Sequence, residues 1–379
     1  MSYKCCINSK SAFSGHIAEI PFIHVDNFED GTKSAYFLSH YHSDHVCGLG
    51  GNVFYTKLKK NNAFVYASAV TVAIIRENCS SLSPYLKVLD LGRNTVTIKD
   101  DDQEIYLNVT TLPAGHSLGS TMFLFEFNSK KILYTGDFRI SKNDIKKYAH
   151  FHKNGDPIDL DALYVDTTFQ DVNSFPKRSE VIRNVVLHIQ NWLSLSDAHR
   201  VVMLTSANYG YEYICNEIYK QIKLKTFVGL NMDIYRHFPK ELYGMTSDSS
   251  SRLYMRSKYG YKMESDPLIL LIYFSALKWG DKINLEEEYL TYKDNRIDVC
   301  FSTHCGRDEL LFFINYFKPK KIVGFPQEFY TDSIILDEGN HFFEENLKIA
   351  PKKRKIELRE SLQVGKRVSK CELDDAFNF

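Results

Sequence analysis

Residues 34–50 read SAYFLSHYHSDHVCGLG, and the middle of that run decides the fold. A short apolar, aromatic stretch of strand-like composition ends at His40, and HYHSDH then sets out His40, His42, Asp44 and His45 as HxHxDH. On an extended chain, residues two apart point the same way, so His40 and His42 can grip one ion. Asp44 and His45 follow at a turn, where they can face a second ion beside the first. Imidazole with carboxylate suits Zn²⁺, with Mn²⁺ the weaker candidate. The bland alternative is a group of surface histidines in a turn, an uncommon accident with 13 His in 379 residues.

Two downstream pieces extend the pattern. PAGHSLGS (113–120) places His116 in a turn between two strand-like runs, with Gly115 and Gly119 allowing tight backbone near an ion. YTGDFR (134–139) places Asp137 just past a strand, where its carboxylate can bridge two ions. Each piece alone reads as an ordinary turn, but the ordered set is much more specific.

The chain around these motifs is large and neutral. A length of 379 residues suits two domains, or one domain carrying an insertion, and 44% hydrophobic with 14% aromatic residues is enough for a sizeable core. Lys+Arg and Asp+Glu are both 47, which excludes a globally basic nucleic-acid binder and leaves phosphate binding to local patches or bound metal. Eight cysteines without a CxxC pair fit a reducing compartment. No apolar run is long enough for a membrane span, and the opening MSYKCCINSKSAF lacks the apolar stretch of a secretory signal.

The first 170 residues read as short strands separated by turns: 34–40, 63–68, 85–92, 104–115, 121–127, 131–138 and 161–169. Residues 178–193 carry helical spacing, 200–206 a strand and 211–222 a second helix. The polar, Ser-rich segment 245–266 predicts loop. Strand (267–277, 296–304), helix (307–317) and strand (320–325) follow, an α/β or α+β layered pattern.

HYHSDH, PAGHSLGS and YTGDFR resemble the metal-binding motifs of the metallo-β-lactamase fold. LYVDTTF (163–169), with Asp166, resembles the first motif of its branch with an inserted β-CASP domain, which processes nucleic acids. FSTHCGRDELLFFINYFKPKKI (301–322), with His304, resembles the second motif. AEIPFIHVDNF (18–28), YGYEY (209–213) and MDIYRHFPKELYGMTSD (232–248) resemble the DNA cross-link repair and end-processing nucleases within that branch, over roughly residues 16–330. The resemblance implies an α/β fold, an αββα sandwich over 1–165 and 305–379 with an α/β β-CASP domain over 166–304. It implies a zinc-dependent DNA nuclease in the nucleus, working on single strands or single/double-strand junctions, with DNA-repair proteins as candidate partners and no membrane association.

Three departures stand out. Some members carry an extra zinc site of two His and two Cys, where Phe227, Tyr254 and Arg256 stand here, so that site is expected to be absent. No long regulatory tail is expected, and a lysine expected just before YGYEY is lost. RNA-cutting relatives end a third motif on a His that completes the second metal's shell. The corresponding KKIVGFPQEF (320–329) has none, which favours DNA. One tight zinc is therefore expected at His40, His42, His116 and Asp137, and a weaker site for Zn, Mg or Mn at Asp44, His45, Asp137 and Asp166.

Bound zinc brings the pKa of its water towards ~7 and offsets charge on the phosphate. Asp44 is the candidate to orient or deprotonate the attacking water. His304, held by Asp166, is the candidate acid for the leaving 3′ oxygen. The plain readings are a structural His304 and a strand-end cap at Asp166. A helix beginning near YGYEY, with Ser206, Asn208 and Tyr209, can hold a phosphate, against an ordinary helix start. KLKK (57–60) is a candidate patch, Tyr213 and Trp279 candidates for stacking on bases, and PKKRK (351–355) a candidate nuclear import signal. For each of these, solvated charge or core packing is the plain alternative. His150, His152, His188, His199, His237 and His341 read as structural or exposed.

Two activities compete: endonucleolytic opening of hairpins and trimming of overhangs, and a 5′-to-3′ exonuclease dependent on a terminal 5′-phosphate. A small-molecule hydrolase on the same metal core leaves the insert unexplained. A DNA-binding scaffold with a degraded site conflicts with the filled ligand positions.

Overall fold

The computed structural model describes residues 10–100, 103–207, 209–228, 237–258, 261, 266–279 and 289–330. Three sheets carry the architecture. The first is parallel, in the order β1 (Ile23–Val25), β2 (Ala35–Leu38), β3 (Phe64–Ala67), β4 (Leu86–Val88). Parallel neighbours need crossovers, and α1 (Asn52–Asn61) and α2 (Ala69–Asn78) supply them. All four residues of β2 are buried, as expected for a strand covered on both faces.

The second sheet gathers β5 (Gly92–Asp100), β6 (Gln103–Pro113), β7 (Thr121–Phe127), β8 (Lys130–Tyr134), β11 (Ala162–Asp166) and β19 (Ile322–Phe325) in the order β19-β11-β8-β7-β6-β5. A small hairpin, β9 (His152–Lys153) and β10 (Asp156–Pro157), lies between β8 and β11. β5 to β8 are antiparallel, while β11 runs parallel to both β8 and β19.

The two sheets face each other across one core, where Val25, Phe37 and Tyr66 meet Leu107, Phe123, Phe125, Tyr134 and Tyr164. The Phe37 ring stacks on Tyr66 at 5.2 Å and meets Phe125 edge-on at 5.1 Å. On the outside of the first sheet, Phe54 and Leu58 of α1 and Val72 and Ile75 of α2 cover Tyr36, Leu38 and Val65. On the outside of the second, α5 (Arg307–Phe317) lays Leu310, Phe313, Ile314 and Phe317 on Leu124, Leu133, Leu163 and Val165. The layer order is helix, sheet, sheet, helix.

The third sheet is built wholly between β11 and α5 in sequence. It contains β12 (Arg200–Thr205), β13 (Thr226–Phe227), β14 (Met245–Thr246), β15 (Leu253–Ser257), β16 (Ile269–Ser275), β17 (Leu290–Lys293) and β18 (Arg296–Cys300), in the order β14-β13-β15-β12-β16-β18-β17. One face packs on α3 (Arg178–Ser194) and α4 (Glu212–Ile222), with Val185, Ile189, Ile214 and Ile218 against Val201, Met203, Ile272 and Val299. Val70 and Ile74 of α2 join that cluster, and Tyr41 and Leu118 pack against it. The inserted body therefore seats on the first sandwich beside the histidine motif.

Two readings of the sequence need correction. The first 170 residues are not all strands, because they include α1 and α2. AVTVAIIREN is rich in β-branched residues and reads locally as strand. Ser68 caps it, its Oγ accepting from Thr71 N at 3.3 Å, and packing of Val72 and Ile75 fixes it as helix. Residues 245–266 are also not simply loop, since β15 pairs with β12 on one side and β13 on the other. LYMRS is short and its neighbours are polar, but its two-sided ladder holds it in the sheet.

Candidate metal centre

Every motif sits where a strand ends. β2 stops at Leu38, so Ser39 and His40 leave the first sheet at its carboxyl edge, and His45 N closes the next turn on His42 O at 3.0 Å. β6 and β7 are joined by the His116 turn, closed by Ala114 N to Ser120 O at 3.0 Å. Gly115 lies there at φ +69°, and a Cβ on it would fall 2.5 Å from Arg139 O, so only glycine fits. Asp137 follows β8, Asp166 ends β11, and His304 follows β18.

These ends converge. One ligand atom from each of His40, His42, His116 and Asp137 lies within 4.8 Å of all the others. His42 Nδ1 is 3.1 Å from His40 Nε2 and 3.0 Å from His116 Nε2. Asp137 Oδ2 faces His40 Nε2 at 3.5 Å and His116 Nε2 at 3.6 Å, while Oδ1 faces His45 Nε2 at 3.2 Å. Asp44, His45 and Asp137 form a second group, and Asp137, Asp166 and His304 a third. A fourth group joins Asp26 to His40 and His45, and Asp137 belongs to the other three, the position of a bridging carboxylate.

The outward nitrogens fix which lone pairs point inward. His42 Nε2 donates to Tyr209 O at 2.7 Å and His116 Nδ1 to Thr303 O at 3.1 Å. A carbonyl only accepts, so His42 Nδ1 and His116 Nε2 are left as bare acceptors facing the centre. His45 Nδ1 donates to Asp26 Oδ2 at 2.8 Å, which turns Nε2 inward. Asp26 also accepts from Ser39 N (2.7 Å), Ser39 Oγ (2.5 Å) and Tyr134 OH (2.8 Å).

The charge balance agrees. Burial, with neighbouring imidazoles, pushes the His42 and His116 rings well below the usual histidine range, so both are neutral. Burial opposes charge on His45, but Asp137, Asp44 and Asp26 raise it well above the usual range. Burial likewise opposes charge on His304, but Asp166 and Asp137 raise it to about 9. Burial works against the Asp137 carboxylate, which His45 and His304 nevertheless hold well below the usual carboxylate range. Three carboxylates thus converge where cationic charge is needed. His45 Nε2 is buried without a hydrogen bond, although Asp137 is close by. Aligned imidazole lone pairs, converging carboxylates and one orphaned nitrogen fit divalent metal.

The remaining candidates divide. Asp44 lies at the rim, about half exposed, 3.7 Å from His45 Nε2. Asp166 is buried, with Oδ2 2.7 Å from His304 Nδ1, and its Oδ1 accepts from Thr168 N at 2.8 Å, so partner and strand-end cap coexist. It groups with Asp137 and His304 rather than with Asp44 and His45.

The helix expected near YGYEY is α4, which starts at Glu212 within the motif. The Tyr209 side chain is buried and approaches the Tyr41 ring at 6.2 Å, and its carbonyl holds His42. The Tyr209 backbone thus supports His42. Ser206 Oγ pairs with Tyr211 OH at 2.5 Å, and Asn208 falls outside the described residues. KLKK is the last turn of α1, with Leu58 in the core and Lys59 and Lys60 exposed. Trp279 is core, whereas Tyr213 is exposed with the Arg178 guanidinium 5.9 Å from its ring. Phe227, Tyr254 and Arg256 pack together, the guanidinium 4.9 Å from the Phe227 ring. His341 and PKKRK lie outside the described residues. Asp26, Tyr209 O and Thr303 O are the supports that reading the sequence missed. Asp26 ends a strand-like IHVD beside β2, a faint signal, and the two carbonyls carry none.

The αββα sandwich with metal-binding clusters at its strand ends defines a metallo-β-lactamase protein, and residues 27–166 match the model of the metallo-beta-lactamase superfamily. The chain is 28% identical over 337 residues to "Protein artemis" of Gallus gallus, covering 82% of this chain and 47% of that protein. It is 28% identical over 336 residues to "Protein artemis" of Homo sapiens, covering 82% and 48%. Similarity to "5' exonuclease Apollo" of Danio rerio is 29% over 151 residues, 40% of this chain and 24% of that one. The chain spans about half the length of the Artemis proteins it matches. Residues 27–166 thus form a metallo-β-lactamase superfamily domain, in a chain similar to the Artemis proteins over 82% of its length.

Proposed function

We propose that the protein is a zinc-dependent DNA nuclease of end processing or cross-link repair, acting in the nucleus, with an endonuclease activity on hairpins and overhangs. The observation that carries this reading is Asp137, which faces His40 and His116 through one oxygen and His45 through the other. Its likeness to proteins named Artemis and Apollo supports DNA as the substrate. The working division is a sandwich of 1–165 and 305–379 with an inserted domain of 166–304.

His40, His42, His116 and Asp137 would hold the tighter zinc, a nitrogen-rich set matched to that ion. Asp44, His45 and Asp137, with Asp166 nearby, would hold a weaker second ion, Zn, Mg or Mn. Bound metal supplies Lewis acidity that acidifies water and offsets charge gathering on a phosphate. Asp44, at the accessible rim, is placed to take a proton from the attacking water. His304 has Nδ1 on Asp166 and Nε2 3.9 Å from Asp137 Oδ2, so its inward nitrogen can carry a proton to the leaving 3′ oxygen. Asp166 keeps the ring oriented and stabilises its charged form.

The test is a panel of labelled DNA: hairpins with overhangs, and single strands with 5′-phosphate or 5′-hydroxyl, with zinc-loaded protein. Hairpin opening and indifference to the 5′ group are expected. A strict need for 5′-phosphate would replace the endonuclease with a 5′ exonuclease, and no cleavage of any DNA would overturn the nuclease reading.

A further inference from the structure

Two arginines cross between the sandwich and the inserted body beside the metal-binding residues. Arg139, 4% exposed, follows Asp137 by two positions. Its Nε lies 2.9 Å from Glu309 Oε2 of α5, and its Nη1 donates to Ser302 O at 3.0 Å. Its Nη2 donates to Phe175 O at 3.3 Å and Pro176 O at 3.2 Å, so Arg139 holds both the segment leading into α3 and the segment leaving β18. Arg178, at the start of α3, reaches back, donating to Gly115 O at 2.8 Å and Arg139 O at 3.2 Å.

The anchored carbonyls have telling neighbours. Gly115 precedes His116 and Ser302 precedes Thr303, and His116 Nδ1 donates to Thr303 O. One arginine therefore fixes the residue before the imidazole and the other fixes the residue before its acceptor. The same loop continues to His304. We propose that Arg139 and Arg178 are positioning residues forming a latch across the two bodies, and that seating of the inserted body thereby sets the metal affinity of the centre. Neither guanidinium needs to touch the ion. An unlatched Thr303 would release His116 Nδ1, and the ring would lose the orientation and tautomer that aim Nε2 inward.

The inference rests on the metal reading of the centre, so its test measures binding rather than cleavage. Apparent zinc affinity is read by competition with a coloured chelator on the full chain, with thermal unfolding and circular dichroism recorded in parallel. Arg178→Gln is expected to weaken zinc binding about tenfold, the low end for loss of support around a ligand. Arg178→Lys keeps one donor and should fall between it and wild type, and it carries the test if the Gln variant does not fold. Val186→Ala, in the buried face of α3, lowers stability without touching the latch and should keep wild-type affinity. Unchanged affinity in a folded Arg178 variant, or an equal loss in Val186→Ala, overturns the latch. Wild-type protein that binds no zinc overturns the metal reading beneath it, so the two failures are distinct.

Discussion

His304 and Asp166 meet at 2.7 Å, Nδ1 to Oδ2, although 138 positions separate them. Asp166 is the last residue of β11 in the second sheet, and His304 follows β18 of the third sheet. The pair therefore exists only when the ends of the second and third sheets are brought together. Asp166→Asn keeps an oxygen able to accept from the ring but removes the charge that stabilises a protonated imidazole. Both Asp166→Asn and His304→Ala should lower single-turnover cleavage by about 10²- to 10³-fold, as for loss of a positioned acid. Because the residues act as one unit, the double variant should be little worse than His304→Ala. Fully multiplicative losses would show that they act separately.

Asp44 lies at the rim with its side chain 45% exposed, so the core does not depend on it. Asp44→Ala should leave stability within about 0.5 kcal/mol of wild type in urea unfolding with chelator present. DNA cleavage should nevertheless fall by two orders of magnitude or more, on the order expected for a general base. Full cleavage by this variant would remove Asp44 from the chemistry.

An ion that binds only the folded chain stabilises it by mass action. At a free zinc concentration a thousandfold above the dissociation constant the gain is about 4 kcal/mol. Dialysis against chelator should lower the unfolding temperature, zinc should restore it, and the midpoint should keep rising with free zinc. His116→Ala should flatten that dependence, because it removes one of the four donors of the tighter group. A midpoint indifferent to zinc would contradict metal at this centre.

The convergence of His40 and His42 was legible because HxHxDH begins as its strand ends, and period-two geometry points both the same way whatever lies elsewhere. Asp137 was legible for the same reason, sitting just past the strand-like KILY run. The supports were not. Tyr209 O and Thr303 O are backbone atoms brought in from loops after strands of the third sheet, and nothing local in YGYEY or FSTHC announces that a carbonyl will meet a histidine. The helix α2 was hidden by its β-branched composition, and β15 by the serines and aspartate before it. In both cases, tertiary partners decided the state of a segment whose local preference pointed elsewhere.

His24, in β1, is a buried imidazole away from the metal cluster, edge-on to the Tyr36 ring at 6.4 Å. Burial pushes its ring down to about 4, and nearby Lys33 adds to the effect. Above about pH 6.5 the ring is neutral in folded and unfolded chains alike and has no effect on the balance. As pH falls from there, the unfolded chain takes up a proton that the folded one refuses, so stability is lost progressively down to about pH 4. The full loss is on the order of 3 kcal/mol. Urea unfolding at pH 7.5 and 5.0, with chelator throughout, should show a steeper fall for wild type than for His24→Leu. Equal slopes would place the acid sensitivity elsewhere.

Gly119 ends the turn that carries His116, at φ +78°, where a Cβ would lie 2.5 Å from Val70 Cβ on α2 and 3.1 Å from Ser68 Oγ. Ser68 is already committed on both sides, since its hydroxyl donates to Gly119 O at 2.7 Å and accepts from Thr71 N. Gly119→Ala must therefore strain a left-handed backbone and push the turn off α2 together. The backbone conformation alone costs about 1–2 kcal/mol, and displacement of a packed valine adds to it, so a loss of at least about 2 kcal/mol is expected in chelator. Because the turn is fastened to His116 through Ser120 Oγ, which accepts from His116 N at 3.2 Å, the variant should also bind zinc more weakly than its lost stability explains. Ser68→Ala separates the two effects: it removes the cap and the tie to Gly119, for about 1 kcal/mol, but leaves the turn unstrained. Zinc affinity should thus be close to wild type in Ser68→Ala and reduced in Gly119→Ala. Equal affinities in the two would mean that the turn's seating on α2 does not govern where His116 points.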